Sequence, residues 1–315
     1  MKKLVLINSF GPMGSTLLSG LVEKLGFTNL PVRKLRLHQY LMGLEPVGSP
    51  LMPSRLKNCL ISHAKPDLRG GVSVMDRDSQ KPCALVDFEK VREKVDNIRA
   101  ENIQDLYFKC RNIYADAVIY KNIASNPDWQ IELTTDIHRF DYKKLAQAYQ
   151  DNFDDVRMIH IRRPFRGWIN SVASQAFVNQ HWIKRIKLFP HMRYADYVLY
   201  EQAAAALPGL HIEFDDMFST PIEELAGEIA DFLDVPPPDV NLRQETYDLY
   251  GKITPYDKAF TKFDDKIEFL RPSTLDYFEK LIETKRIQKI PYNIFAWLGY
   301  IRDMTSYRLK QHKKG

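Results

Sequence analysis

Gly11, Gly14, Ser15 and Thr16 stand between an apolar run, Leu4 to Ile7, and a stretch with Leu17, Leu18, Leu21 and Leu25 at helical spacing. A glycine turn in that position gathers backbone N–H groups at one point and adds the positive end of a helix dipole, which is the chemistry of anion binding. The turn reads GPMGST and lacks the lysine of GxxxxGK[ST], so the usual lysine contact to the β- and γ-phosphates of ATP is not supplied. The bland use of the glycines is simply to let a strand turn into a helix. Residues of the same affinity recur in VRMIHIRRPFRGWINSVASQ, where Arg162 and Arg163 end a strand and Pro164 opens the next helix. Adjacent guanidiniums are costly to bury without an anion, and their planar forks match phosphate oxygens; salt bridges to acidic helices are their other use. Ligands of open α/β sheets gather at the C-terminal ends of strands, so both groups can face one crevice and suit a ligand with two phosphates.

The elements that must position these residues follow from periodicity. Leu4 to Ile7 is a continuous apolar run, as in a parallel strand covered on both faces, and the helix after it closes at Gly26. WQIELTT (129–135), VRMIHI (156–161) and LHIEF (210–214) read as further strands; helices are expected over 141–153, 164–178 and 222–235, the last stopped by the prolines 236–238. That alternation predicts an α/β fold, a parallel β-sheet flanked by helices. Residues 87–125 are charged and periodic and read as two helices packed on this nucleus; prolines and glycines break up 44–84 apart from a short helix over Arg55 to His63. Helices are also expected over 273–285 and 292–310. We read 1–315 as a single domain, with 44–128 a cap or substrate-side insertion and 240–315 a C-terminal helical extension.

With 315 residues, 44% hydrophobic and 27% charged, the chain has the composition of a globular protein with a substantial core. The formal charge of +5 suits a small anion better than a nucleic-acid polymer. Cys59, Cys83 and Cys110 are odd in number and widely spaced, which excludes a disulfide framework and a CxxC zinc pair and fits a reducing, cytoplasmic location. No segment has the ~18–20 apolar residues needed to span a bilayer, and the basic end QHKKG reads as a solvated tail.

INSFGPMGSTLLSGLVEKLG resembles the 5′-phosphosulfate loop of the PAPS-dependent sulfotransferases, roughly PxSGTTxL, and IHIRRPFRGWINSVAS resembles their 3′-phosphate motif, RxPxxxxxS. HIEFDDMFSTPIEELAGEIADFLDVP is similar to their YEDL, spacer-proline and FLG-type helix, and WQIELTT to the WxEKTP stretch of carbohydrate and bacterial members. The resemblance implies a P-loop-NTPase-like sulfotransferase fold with helical cap insertions. It also implies transfer of a sulfuryl group from PAPS to a hydroxyl or amine of a carbohydrate or other small acceptor, with PAP released and no metal required. It covers most of 3–27 and 129–236. The chain departs from the family at two cations: Pro12 stands at the basic position of the phosphosulfate loop and Leu133 at the lysine of the EKTP-like stretch.

By this resemblance, backbone around Gly11, Met13, Gly14, Ser15, Thr16 and Leu17 would hold the phosphosulfate. Arg162 with Asn170 or Ser171 would hold the 3′-phosphate, Asn170 standing at the serine position, and Arg271 lies where a family loop folds over the nucleotide. A general base must reach the acceptor proton and titrate near neutrality, which favours His138, with Glu132 and Asp136 as alternatives on or after the same strand. His160, inside an apolar strand, is expected to satisfy a core hydrogen bond. Two other readings are a nucleotide-binding or scaffold protein of the same fold without turnover, and a P-loop small-molecule kinase.

Overall fold

The structure, a computed structural model, describes residues 1–11, 13–30, 41, 74–75, 82–83, 87–95, 97–118, 126–134, 137–178, 195–245, 256–260, 269–284 and 294–312. Four strands form one sheet: β1 (Lys3–Asn8), β4 (Trp129–Thr134), β5 (Asp155–Arg162) and β6 (Leu210–Glu213). Their order is β4-β1-β5-β6 and every pairing is parallel, so β1 lies in the interior of the sheet. A separate antiparallel pair joins β2 (Val74–Met75) to β3 (Pro82–Cys83). Register sets Asn8 opposite both Thr134 and His160, so the chain leaves β1, β4 and β5 along one edge.

Both faces of the sheet are covered, which is why β1 reads as an unbroken apolar run. Alternation sends Val5 and Ile7 to one face, with Ile131, Leu133, Ile159, Ile161 and Ile212. Against them pack α1 (Ser15–Lys24), α5 (Phe165–Val178) and α8 (Ile222–Leu233) through Leu18, Leu21, Val22, Trp168, Ile169, Leu225 and Ile229. Leu4 and Leu6 point the other way with Met158, under α3 (Ile103–Asp116) and α4 (Tyr142–Asn152). Each such aliphatic side chain contributes roughly 1.5–3 kcal/mol on burial. α2 (Phe88–Val95) packs beside α3 through Val91, so the two helices expected within 87–125 form a layer on the second face.

Local chemistry fixes several ends. The Asn102 side chain accepts from Asp105 N at 2.8 Å at the start of α3, and that of Asp141 from Lys144 N at 3.2 Å at the start of α4. α8 ends at Leu233, short of the prolines: Asp234 turns left-handed (φ 52°), and buried Lys3 Nζ donates to the carbonyls of Leu233 (3.0 Å) and Asp234 (2.7 Å). A helix absent from the expectations above, α6, has its described residues at 195–206. The short α7 (Asp216–Ser219) and α9 (Tyr256–Ala259), then α10 (Pro272–Glu283) and α11 (Ile294–His312), complete the described helices. The short helix expected over 55–63 lies outside the described residues. No helix among the described residues is long and apolar enough to cross a membrane.

Candidate functional site

The turn after β1 is built from its side chains as much as from its glycines. Ser9 N donates to Thr134 O at 3.0 Å, which holds the turn to the end of β4. Met13 is fully buried and its sulfur accepts from Phe10 N at 3.3 Å, folding the turn back on itself. Gly11 and Gly14 have φ of 68° and 85°, where a side chain is strained, and Gly14 opens α1 with no side-chain cap. The first turn of α1, Ser15, Thr16 and Leu17, is half-buried and presents amides that the helix ladder itself does not use.

Across the edge, α5 is tied to this turn. Trp168 is fully buried, its Nε1 donates to Phe10 O at 2.6 Å, and its ring stacks on Phe10 with centroids 5.3 Å apart. The two adjacent arginines separate. Strand alternation carries Arg162 to the side opposite Ile161, where its guanidinium meets Glu201 (3.1 Å) and Glu213 (3.2 Å). Arg163, one residue beyond β5, lies over the ring of Phe214 with Cζ 3.9 Å from the centroid. A Cβ placed on Gly14 would stand 3.2 Å from an edge atom of that same ring, so the glycine turn and Arg163 both lie against Phe214. Burial lowers the Arg163 guanidinium to about 10, partly offset by the charge of Asp215, and it stays cationic at neutral pH.

Other expected site residues extend from there. Asn170, on α5, accepts from Phe269 N at 2.9 Å, which sets the chain before α10 beside this helix. Ser171 follows it, half-buried. Arg271 is held by Asp303: its backbone N donates to Oδ2 at 2.9 Å and its Nε lies 3.3 Å from Oδ1. Asp303 is buried and also takes Thr274 Oγ1 (2.6 Å) and Arg302 Nε (2.8 Å).

The three candidate bases are in different surroundings. His138 sits in a 3-10 turn (Ile137–Arg139) at the same edge, its ring edge-on to Phe10 at 4.9 Å and its Nε2 4.0 Å from Asp196 Oδ1 on α6. Asp196 is also paired with Arg139 at 2.5 Å. Glu132 pairs in register with Leu6 inside the sheet and is 2% exposed. Burial first and the Glu132 charge second keep the Tyr149 hydroxyl protonated; at Tyr107 burial also dominates, opposed by Arg111 and reinforced by Glu132. Asp136 and Pro12 lie outside the described residues. Leu133 is buried among the apolar residues of the first face.

Sequence reasoning missed α6, which fastens the end of β5. Tyr197 OH donates to Arg163 O at 2.7 Å, and Tyr200 OH lies 2.6 Å from Ile161 O and 2.8 Å from Asn8 O. The available signal was the spacing of Tyr197, Tyr200, Ala204 and Leu207, a helical stripe at steps of three and four. His160 does take a core hydrogen bond: Asn8 Nδ2 donates to its Nδ1 at 3.1 Å, which leaves the proton on Nε2, 3.4 Å from Pro208 O. Among the described residues no group of three or more His, Cys, Asp or Glu is arranged to hold a metal.

No protein-family model matches the chain, and no curated protein matches it. Among solved structures it is similar to a sulfotransferase domain from the curacin biosynthetic pathway, over 90% of this chain and 97% of that one, at 12% identity and a TM-score of 0.40.

Proposed function

We propose that the protein moves a sulfuryl group from PAPS to a hydroxyl or amine of a carbohydrate or other small acceptor and releases PAP. The observation that carries this reading is Phe214, which both Gly14 of the turn and the guanidinium of Arg163 approach: the glycine turn before a helix N-terminus and a planar cation meet at one ring. An amide-lined helix N-terminus and a guanidinium are the two kinds of group that hold the anionic ends of a bisphosphorylated nucleoside. The turn and the first amides of α1 (Gly11, Met13, Gly14, Ser15, Thr16, Leu17) take the phosphosulfate. We assign the 3′-phosphate to Arg163 with Asn170 or Ser171, because Arg162 is already engaged by Glu201 and Glu213. In the transfer the acceptor oxygen or nitrogen forms a bond to sulfur as the bond from sulfur to the bridging phosphate oxygen breaks. The acceptor proton passes to a base, a role we assign to His138, and the electron pair of the broken bond leaves on PAP. Positioning and charge stabilisation supply most of the rate in chemistry of this kind. The cysteine pattern, three widely spaced residues with Cys110 buried, fits a cytoplasmic enzyme.

A second reading, a nucleotide-binding protein without turnover, is favoured by Leu133, which is apolar and buried where the resembling family has a lysine. Thermal unfolding with PAP and transfer from radiolabelled PAPS to a panel of sugars and small alcohols separate the two. Stabilisation by PAP, about 2.7 kcal/mol at a hundredfold excess over Kd, together with transfer supports the enzyme. Stabilisation without transfer supports the binder, and a response to ATP but not PAP defeats both.

A further inference from the structure

The polar side chains where β1, β4 and β5 end are matched to one another. Asn8 Nδ2 donates to His160 Nδ1 at 3.1 Å, and Thr134 Oγ1 donates to Asn8 Oδ1 at 3.2 Å. On α1 the buried Ser19 Oγ donates to Thr16 O at 2.9 Å. Ser9 is not matched: it is 0% exposed, and among the described residues nothing hydrogen-bonds its Oγ. A hydroxyl shut away from water destabilises the fold unless some group bonds it, so this one has a partner still to be named.

Two observations aim the hydroxyl. Ser9 N donates to Thr134 O at 3.0 Å, so the ladder of β1 continues one residue past Asn8. Alternation then sets Ser9 on the face of Val5 and Ile7, the face on which α1 packs. The turn also doubles back at once: Phe10 N donates to Met13 Sδ at 3.3 Å and Met13 N to Gly11 O at 2.9 Å, which returns the chain to Gly14 and the first turn of α1. The Ser9 hydroxyl thus belongs to the same small volume as the amides that the ladder of this ten-residue helix does not use. Residues 9–17 contain no acid and no base, so the donors gathered there are all neutral. Neutral donors converging on a helix N-terminus select an anion.

We propose that Ser9 Oγ donates to the 5′-phosphosulfate of the nucleotide, as a further binding residue that reaches the group from the strand side while the amides of α1 reach it from the helix side. This contact rests on the function proposed above and deepens it. Pro12 and Leu133 leave the turn without the two cations of the resembling family, and the Ser9 hydroxyl adds a donor at that same end of the ligand. Because the hydroxyl is buried and unpaired before binding, seating the anion relieves a cost that the free protein carries, and the relief enters the affinity.

The test sets the ligand-free stability of Ser9→Ala against its affinities for PAP and for adenosine 3′-phosphate, which lacks the 5′ group. Without ligand the variant should unfold at or above the parent temperature, since it loses a hydroxyl that has no partner in the fold. Its affinity for PAP should fall roughly tenfold, the loss of one hydrogen bond to a charged group. Adenosine 3′-phosphate should bind parent and variant alike, which places the lost contact at the 5′ end. Unchanged PAP affinity in a variant of a parent that binds PAP overturns this contact and leaves the function proposed above standing. A ligand-free variant that melts below the parent, or an equal loss for both nucleotides, overturns it too. Failure of the parent to bind PAP defeats that function and this contact together.

Discussion

Trp168 Nε1 donates to the carbonyl oxygen of Phe10 at 2.6 Å, joining the helix after β5 to the turn after β1. The two segments lie 158 residues apart in sequence, yet this bond and the stacking of the same two rings make them one wall. Trp168→Phe keeps an aromatic ring and removes the donor, so a buried carbonyl loses its partner. The expected cost is about 1–3 kcal/mol in urea unfolding, with weaker PAP binding as the turn loosens. Parent-like PAP affinity would detach this wall from the nucleotide.

Gly14 has a left-handed φ of 85°, and an added Cβ would stand 3.2 Å from Phe214. Gly14→Ala should therefore cost about 1–2 kcal/mol from backbone strain and displace Phe214 from beneath Arg163. The unfolding midpoint reads the first effect and PAP titration the second; a variant as stable as the parent would contradict the geometry.

The adjacent arginines should behave differently. Arg163→Ala is expected to remove PAP-dependent stabilisation and leave the protein folded. Arg162→Ala should leave Glu201 and Glu213 side by side without their shared cation, lowering stability by on the order of 1 kcal/mol at neutral pH and sparing PAP binding. Calorimetric titration of both variants decides; loss of PAP binding in Arg162→Ala alone would reverse the assignment.

His138 and Glu132 separate chemistry from structure. His138→Ala should lower kcat by roughly 10²–10⁴-fold with PAP affinity retained. Glu132→Gln should instead lower stability by about 1–3 kcal/mol, because the buried carboxylate loses its hydrogen bond with Tyr107, while the folded fraction turns over normally. Unimpaired turnover in His138→Ala would move the base elsewhere.

His160 is buried and lowered to about 4 by desolvation and by neighbouring His211. Because the folded value lies below the unfolded value of about 6.5, the unfolded chain takes up a proton first as pH falls, and stability decreases from near pH 6.5 towards 4. The loss amounts to at most about 3 kcal/mol across that window. Urea midpoints measured over this range should slope downward with acid and flatten in His160→Gln; an unchanged slope would assign the acid sensitivity to other groups.

The sheet and its flanking helices were legible in the residues because periodicity is a local property. Leu4 to Ile7 reads as a strand covered on both sides, and in the structure successive side chains enter two different cores. The glycine turn was legible for the same reason: Gly11 and Gly14 mark positive φ wherever the rest of the chain goes. Spacing does not say which of two neighbouring arginines faces the turn. That depends on where β5 stops, for a one-residue alternation sends Arg162 to Glu201 and Glu213 and frees the backbone after it to carry Arg163 onto Phe214. Likewise Glu132 and His138 are six residues apart on one stretch of chain, and only tertiary packing decides that both are buried, the first beside Tyr107 and Tyr149 and the second against Phe10. Contacts such as these are set by segments far apart in sequence, so their energies exist only once the sheet has assembled.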